Sequence, residues 1–178
     1  DHLGYASAIG KEIAIKQVML NKGETTDLEK ELIEKYKRIE NYQSNYFDFQ
    51  TFFLKVYNNE NDNSILTKIK IYDKTFLLMG DASSKVEWDL MNKTDVTSFF
   101  LKVGHHGSNT SSSFSFLKKV HPNYAIISAG RNNRYHHPSK ETIENLKKLN
   151  IPILNTQEIG TIQIIIQKKG FHIKKTLA

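Results

Sequence analysis

Apolar segments typical of β-strands alternate with helical segments through the second half of the chain, and this alternation restricts the folds it can adopt. Residues 97–103, 124–129 and 153–155 have the apolar, β-branched character of strands. Residues 114–120 and 139–149 have the apolar spacing of helices, and a serine precedes or begins each of them. The sequence therefore predicts an α/β fold.

The first half predicts a different arrangement, in which strands follow one another directly. Residues 64–72 and 75–79 predict a β-hairpin. We predict a helix that Thr26 or Asp27 caps and that runs to about Tyr42, because apolar residues recur at helical spacing at Leu28, Leu32, Ile33, Tyr36 and Ile39. Thr26 and Glu29 also have the spacing of a capping box. Hairpins followed by alternating strands and helices favour two stacked sheets with helices outside.

Composition excludes several classes of function. The chain has no Cys, which excludes disulfides, thiolate metal sites and cysteine nucleophiles. No apolar run reaches the roughly 18–20 residues of a transmembrane helix. Residues 1–100 carry 13 basic and 16 acidic residues, whereas residues 101–178 carry 12 basic and 3 acidic residues. This asymmetry favours an anionic partner, with nucleic acid first, although a solvated Lys-rich surface is the alternative.

The side chains best suited to bind a metal each follow a predicted strand. They are Asp81, His105, His106, His136 and His137. Taken singly, each has an ordinary role as a turn residue, a helix cap or an exposed loop residue. Together they predict a site at one rim of the sheet, where the loops of α/β folds converge. His and Asp without Cys suit Zn²⁺, Mn²⁺ or Fe, and two such ions can clamp a phosphodiester during hydrolysis.

Several short blocks match the motifs of one superfamily. Asp1-His2-Leu3-Gly4 matches the end of a His-x-His-x-Asp-His-x-Gly signature, and Leu77-Leu78-Met79-Gly80-Asp81 matches a later motif with a bridging Asp. Further matches are the blocks 61–64, 101–108, 125–130 and 133–138. In these blocks the chain resembles the metallo-β-lactamase fold, and within it the C-terminal hydrolase domain of the ComEC competence proteins.

The resemblance implies an αββα metallo-β-lactamase-like sandwich, incomplete at its N-terminus, with residues 1–178 as one partial hydrolase domain. It implies two divalent ions, Zn²⁺ or Mn²⁺, in the complete domain. The implied metal ligands are Asp1, His2, Asp81, His105 and His137, and the implied catalytic residues are Asp1, Asp81 and His106. The side chains expected to bind substrate phosphate are Ser108, Asn109, Thr110, Arg131, Arg134 and His136. Which imidazole of each His-His pair points inward is left open.

The resemblance also implies a function. It implies a metal-dependent phosphodiesterase or nuclease that acts on DNA during competence uptake, with a membrane domain attached in the full-length protein and a membrane-associated location; otherwise we expect a cytoplasmic one. The alternatives are a small-molecule hydrolase of the lactonase or β-lactamase kind, and a DNA-binding remnant without catalysis. Because the first ligands of the signature would precede residue 1, we expect weak or single-metal binding and poor activity. An incomplete sheet would also leave an open edge that favours a homodimer.

Overall fold

A seven-stranded sheet forms the centre of the computed structural model, which describes residues 5–20 and 26–176. Its strands lie side by side in the order in which they occur in the chain. They are β3 (Asn41–Gln43), β4 (Phe47–Phe52), β5 (Leu66–Ile71), β6 (Lys74–Leu78), β7 (Phe100–Lys102), β8 (Tyr124–Ile127) and β9 (Ile153–Asn155). The pairs from β3 to β6 are antiparallel, and the pairs from β6 to β9 are parallel.

Helices connect the parallel strands, as the alternation in the sequence predicts. They are α3 (Ser84–Lys93), α4 (Phe114–Val120) and α5 (Lys140–Lys148). Apolar side chains of these helices, such as Leu90, Phe116 and Leu146, form one buried cluster with Leu101 and Ile127 of the sheet. The three helices therefore cover one face of the sheet, which confirms the mixed α/β class.

A separate two-stranded hairpin packs at the other face. It consists of β10 (Thr161–Gln167) and β11 (Gly170–Thr176), which follow the short helix α6 (Thr156–Ile159). The ring of Phe171 lies 5.3 Å from Phe99, 5.4 Å from Phe100 and 5.9 Å from Tyr124, measured between centroids. These edge-to-face contacts anchor the hairpin on the amino ends of β7 and β8.

The N-terminal part differs from the prediction in one respect. It contains α1 (Ala6–Glu12), β1 (Gln17–Val18), α2 (Asp27–Lys35) and β2 (Lys37–Arg38). The capping box of Thr26 and Glu29 is present, as predicted. The helix does not continue to Tyr42, however, because Tyr36 is already extended and the backbone N–H of Ile39 donates to Val18 in the parallel β1–β2 pair. Pairing with a distant strand therefore overrides the local helical spacing.

None of the helices in residues 5–20 and 26–176 combines the length and the hydrophobicity that a transmembrane segment requires.

Candidate functional site

Three loops meet at the carboxyl ends of β6, β7 and β8. The backbone N–H of His105 donates to the carbonyl of Gly80 at 2.8 Å, which joins the first loop to the second. The N–H of Ser139 donates to the carbonyl of Gly107 at 2.8 Å, which joins the second loop to the end of the third. The loops therefore bring together residues that lie more than 50 positions apart in the sequence, as the parallel strands predict.

Asp81 is held by the segment that precedes β5. Its backbone N–H donates to Oγ of Ser64 at 2.9 Å. The buried carboxylate of Asp62 accepts from the N–H of Ser83 at 3.0 Å, so the same segment fixes the start of α3. Gly80, just before Asp81, has a φ of +54° and lies so close to Ser64 that a Cβ there would stand 2.7 Å from the Ser64 Cβ. Glycine is therefore required where the chain turns towards the site.

His105 and His106 both adopt the left-handed backbone conformation, with φ of 46° and 56°. Such conformations cost a non-glycine residue about 1–2 kcal/mol each, so neighbouring bonds must hold them. The N–H of Ser108 donates to the carbonyl of His105 at 2.9 Å, and Oγ of Ser111 donates to the carbonyl of Gly104 at 2.8 Å. These bonds fix the turn from which both imidazoles project.

The tautomer of His106 follows from its hydrogen bond. Its Nδ1 lies 2.6 Å from the backbone carbonyl oxygen of Ser128. Because a carbonyl only accepts, Nδ1 must carry the proton. The other ring nitrogen, Nε2, lies 4.0 Å from Oδ1 of Asp81. The lone pair of a neutral His106 therefore faces a carboxylate, an arrangement that a cation between the two atoms would stabilise.

His105 and His137 complete the group. Their ring centroids are 5.6 Å apart, and His105 lies 6.4 Å from His106. His137 stacks on Tyr135 at a centroid distance of 5.8 Å, and Nδ1 of His105 lies 3.4 Å from Oγ1 of Thr110. The structure therefore brings Asp81, both histidines of the first pair and one of the second to the same rim.

The surroundings of His137 favour its neutral form. Burial lowers the pKa of His137, and the nearby His105 and His106 lower it further, whereas the negative charge of Asp81 opposes the shift. A His pKa below its usual value leaves the ring unprotonated near neutral pH. The imidazole of His137 therefore has a lone pair free to bind a cation.

The remaining basic candidates, two arginines and one histidine, lie on the outside of the third loop. His137, not His136, packs against the other histidines, and His136 is exposed. Arg131 is exposed, and its Nε donates to a backbone carbonyl of α6 at 2.9 Å. Arg134 is exposed, contacts the Tyr135 hydroxyl and lies 4.5 Å over that ring. These side chains form an exposed basic rim beside the histidines.

The Ser/Thr loop after the first His pair is partly occupied by its own contacts. Ser108 is buried, and its hydroxyl lies 3.0 Å from Oγ1 of Thr110 and accepts from the Thr110 N–H. Asn109 and Thr110 are exposed. Of these three predicted phosphate-binding residues, Asn109 and Thr110 therefore offer accessible polar atoms.

Sequence analysis missed Lys102, the last residue of β7. Its Nζ donates to the carbonyl of Val103 at 3.1 Å. Burial lowers the pKa of Lys102, and the negative charge of Asp81 opposes the shift. A lysine inside an otherwise apolar strand was the available signal, because charged residues are rarely placed there without a role.

Only some of the predicted metal ligands lie among the described residues. Asp1 and His2, which are predicted ligands, lie outside the described residues. Within residues 5–20 and 26–176, no group of three or more His, Asp or Glu side chains is arranged to hold an ion. The donor types, imidazole and carboxylate, are those that Zn²⁺ or Mn²⁺ binds, although the 4.0 Å between His106 Nε2 and Asp81 Oδ1 is wider than the spacing of two ligands on a tetrahedral ion.

Comparison with known proteins identifies relatives of the chain, although no protein-family model matches it. It is 32% identical to ComE operon protein 3 of Bacillus subtilis over 181 aligned positions, which cover 92% of this chain and 23% of that protein. It is 34% identical to Competence protein ComA of Neisseria gonorrhoeae, over 63% of this chain and 16% of that protein. It is 35% identical to Recombination protein 2 of Haemophilus influenzae, over 59% of this chain and 13% of that protein.

The aligned region spans less than a quarter of the length of each of these relatives. The similarity to ComE operon protein 3 nevertheless extends over nearly all of this chain, and therefore over the three loops that carry Asp81 and the histidines. These similarities support a relationship between this chain and a part of the ComEC-like competence proteins.

Proposed function

We propose that this chain is a metal-dependent phosphodiesterase of the metallo-β-lactamase fold that acts on DNA. The metallo-β-lactamase fold is proposed on the motifs around Asp81, His105 and His137. A role in DNA uptake is proposed on the similarity to competence proteins. The site at the carboxyl ends of β6, β7 and β8 is the proposed reaction centre.

The single observation that carries the proposal is the orientation of His106. Its Nδ1–H is engaged by the carbonyl of Ser128, so that Nε2 is left towards Asp81. A histidine that donates one ring nitrogen to a backbone carbonyl and directs the other at a carboxylate has the second-sphere bond typical of metal ligands. The neutral ring of His137 supplies a further nitrogen donor beside it.

Each residue of the site has a separate role in this proposal. Asp81, His105, His106 and His137 would hold a divalent ion, Zn²⁺ or Mn²⁺, once their side chains shift from the present arrangement, which does not yet form a ligand group. When bound, the ion would supply Lewis-acid polarisation of a phosphoryl oxygen. The Ser128 carbonyl keeps the proton of His106 on Nδ1, and the left-handed turn at positions 105 and 106 keeps both rings at the rim.

DNA is the proposed substrate because of the charge around the site. Residues 101–178 carry 12 basic and 3 acidic residues. Arg131, Arg134 and His136 are exposed beside the histidines, together with the exposed ring of Tyr135. Basic side chains and an aromatic ring are the usual contacts for phosphates and for unpaired bases.

The proposal is tested with the purified chain and three single variants. Mn²⁺ and Zn²⁺ binding is measured by calorimetry, and cleavage of a labelled DNA oligonucleotide is measured in the same buffers. His106→Ala and Asp81→Asn remove proposed ligands. His172→Ala is the matched control, because His172 is exposed on β11, whose Phe171 packs at the opposite end of β7.

We expect the wild type and His172→Ala to bind the ion equally, and the other two variants to bind it at least about 10-fold more weakly. The wild type should cleave the oligonucleotide only when the ion is present, and the cleavage rate should be lower in His106→Ala and Asp81→Asn. DNA binding should weaken with salt, with a slope of about −0.9 for each phosphate contacted. Binding of DNA that is insensitive to chelator and without cleavage would contradict the proposal, as would equal ion binding by all four proteins.

A further inference from the structure

Glu87 is a buried carboxylate that the proposed mechanism does not use. It lies on α3, one turn after the helix begins, and its side chain is fully buried. Among the described residues it forms no ion pair with a Lys, Arg or His side chain. Burying an ionisable group in this way is costly, so the bonds that it makes need an explanation.

Within the described residues, the side-chain hydrogen bonds of Glu87 all go to one loop. One carboxylate oxygen accepts from the backbone N–H of Ser112 in a very short contact. The other accepts from the N–H of Ser113 at 3.0 Å and from its hydroxyl at 2.8 Å. Ser112 has a φ of +58°, so the loop turns sharply where Glu87 holds it. The carboxylate therefore satisfies the buried N–H of Ser112 and the half-buried N–H of Ser113, which the turn directs away from other backbone partners.

The same loop supports the first His pair from behind. The hydroxyl of Ser111 donates to the carbonyl of Gly104 at 2.8 Å, at the start of the left-handed turn. Oγ1 of Thr110 lies 3.4 Å from Nδ1 of His105. The beginning of α3 holds the loop as well, since the N–H of Ser84 donates to the carbonyl of Thr110 at 2.8 Å.

We propose that Glu87 is a positioning residue for the metal site: it fixes the 108–113 loop on α3, and this loop in turn fixes His105 and the left-handed turn. The assignment rests on the proposed function, because it gives the histidines their role as ligands. It adds a residue that touches neither the ion nor the substrate. Two of its three bonds to the loop are to backbone N–H groups, and the third is to the Ser113 hydroxyl. The side chains of the loop alone therefore do not indicate that Glu87 positions it.

Glu87→Gln is the test variant, because it has nearly the same shape as the native side chain. A Gln amide offers one acceptor oxygen where the carboxylate offers two, so one of the two loop N–H groups loses its partner. Glu87→Ala removes both acceptors. Val96→Ala is the matched control: Val96 is equally buried but precedes β7, at the end of the sheet away from the site.

Two readouts are needed for these variants and the wild type. The first is Mn²⁺ or Zn²⁺ affinity by calorimetry, with thermal stability measured without metal. The second is the tautomer of His105 without metal, read from the nitrogen chemical shifts of its imidazole by NMR. A purely structural role would lower thermal stability in all three variants and leave the ion affinity and the His105 tautomer as they are in the wild type.

We expect Glu87→Gln to weaken ion binding about 10-fold and to make the His105 ring signals heterogeneous, with a larger effect for Glu87→Ala. Val96→Ala should change neither. Wild-type affinity and a single His105 tautomer in Glu87→Gln would overturn the proposal. If the wild type itself binds no ion, the proposed function fails, whereas the NMR comparison still decides whether Glu87 positions His105.

Discussion

Replacing Gly80 by alanine tests whether the turn before Asp81 needs glycine for the reasons that its geometry gives. The φ of +54° lies in the left-handed region, which costs an alanine about 1–2 kcal/mol. The new Cβ would stand 2.7 Å from the Ser64 Cβ and 2.8 Å from its Oγ, and overpacking of this kind costs about 1–3 kcal/mol. We therefore expect Gly80→Ala to lower the free energy of unfolding by about 2–5 kcal/mol.

The two contributions can be separated with a second substitution. Ser64→Gly removes both atoms that the new Cβ would meet, although it also removes the hydrogen bond to the Asp81 N–H. In that background, Gly80→Ala should cost only the conformational part, about 1–2 kcal/mol. Gly130→Ala is the control, because a Cβ there meets nothing within 4 Å. It should change stability by less than about 1 kcal/mol.

Urea unfolding followed by circular dichroism measures these differences. The reasoning is refuted if Gly80→Ala is no more destabilising than Gly130→Ala. It is also refuted if the cost of Gly80→Ala is the same with serine and with glycine at position 64, because the steric part would then be absent. In both cases the backbone around Asp81 would be free to adjust, and its position would not be fixed by this turn.

Three further predictions concern stability and are checked by unfolding experiments. Thr26→Ala removes one side of the capping box with Glu29 and should cost about 1 kcal/mol. Lys102→Met removes a half-buried ammonium that forms no ion pair among the described residues, and should raise the free energy of unfolding by about 1 kcal/mol; a large loss would mean that its charge stabilises Asp81. Burial raises the pKa of Glu87, so its carboxyl group stays protonated to higher pH in the folded state than in the unfolded chain. The stability of the wild type relative to Glu87→Gln should therefore decrease as pH rises through and above the usual pKa of a glutamic acid, and a flat difference would contradict the shift.

The parts of the fold that the sequence predicts best are those in which local pattern and tertiary contacts agree. Helix α4 and strand β9 have the predicted bounds, because apolar spacing, capping and flanking turns all favour them. The helix after Thr26 was predicted too long, because Ile39 fits the helical spacing and yet belongs to a segment that pairs with β1. A two-residue parallel pairing leaves no local pattern from which it could be predicted.

The candidate site shows a similar division. The rim was predictable because polar residues follow strands, and the position of a residue after a strand is visible in the sequence. The sequence does not predict whether His136 or His137 faces the site, because this depends on which ring packs against His105. Glu87 was missed because charged side chains are normally exposed, and only the packing around it reveals that it is buried. Lys102 was missed although its position in an apolar strand was a signal in the sequence.

The order of strands in the sheet has a consequence for how the chain can assemble during synthesis. Because β3 to β9 lie side by side in chain order, each new strand can pair with the edge of the strands already made. The early hairpins need only local contacts, whereas each later strand must wait for its crossover helix. The histidine-bearing rim can therefore form only after residue 138 has left the ribosome. Until β9 joins, β8 offers a free edge to other chains, so premature release at that stage would favour aggregation.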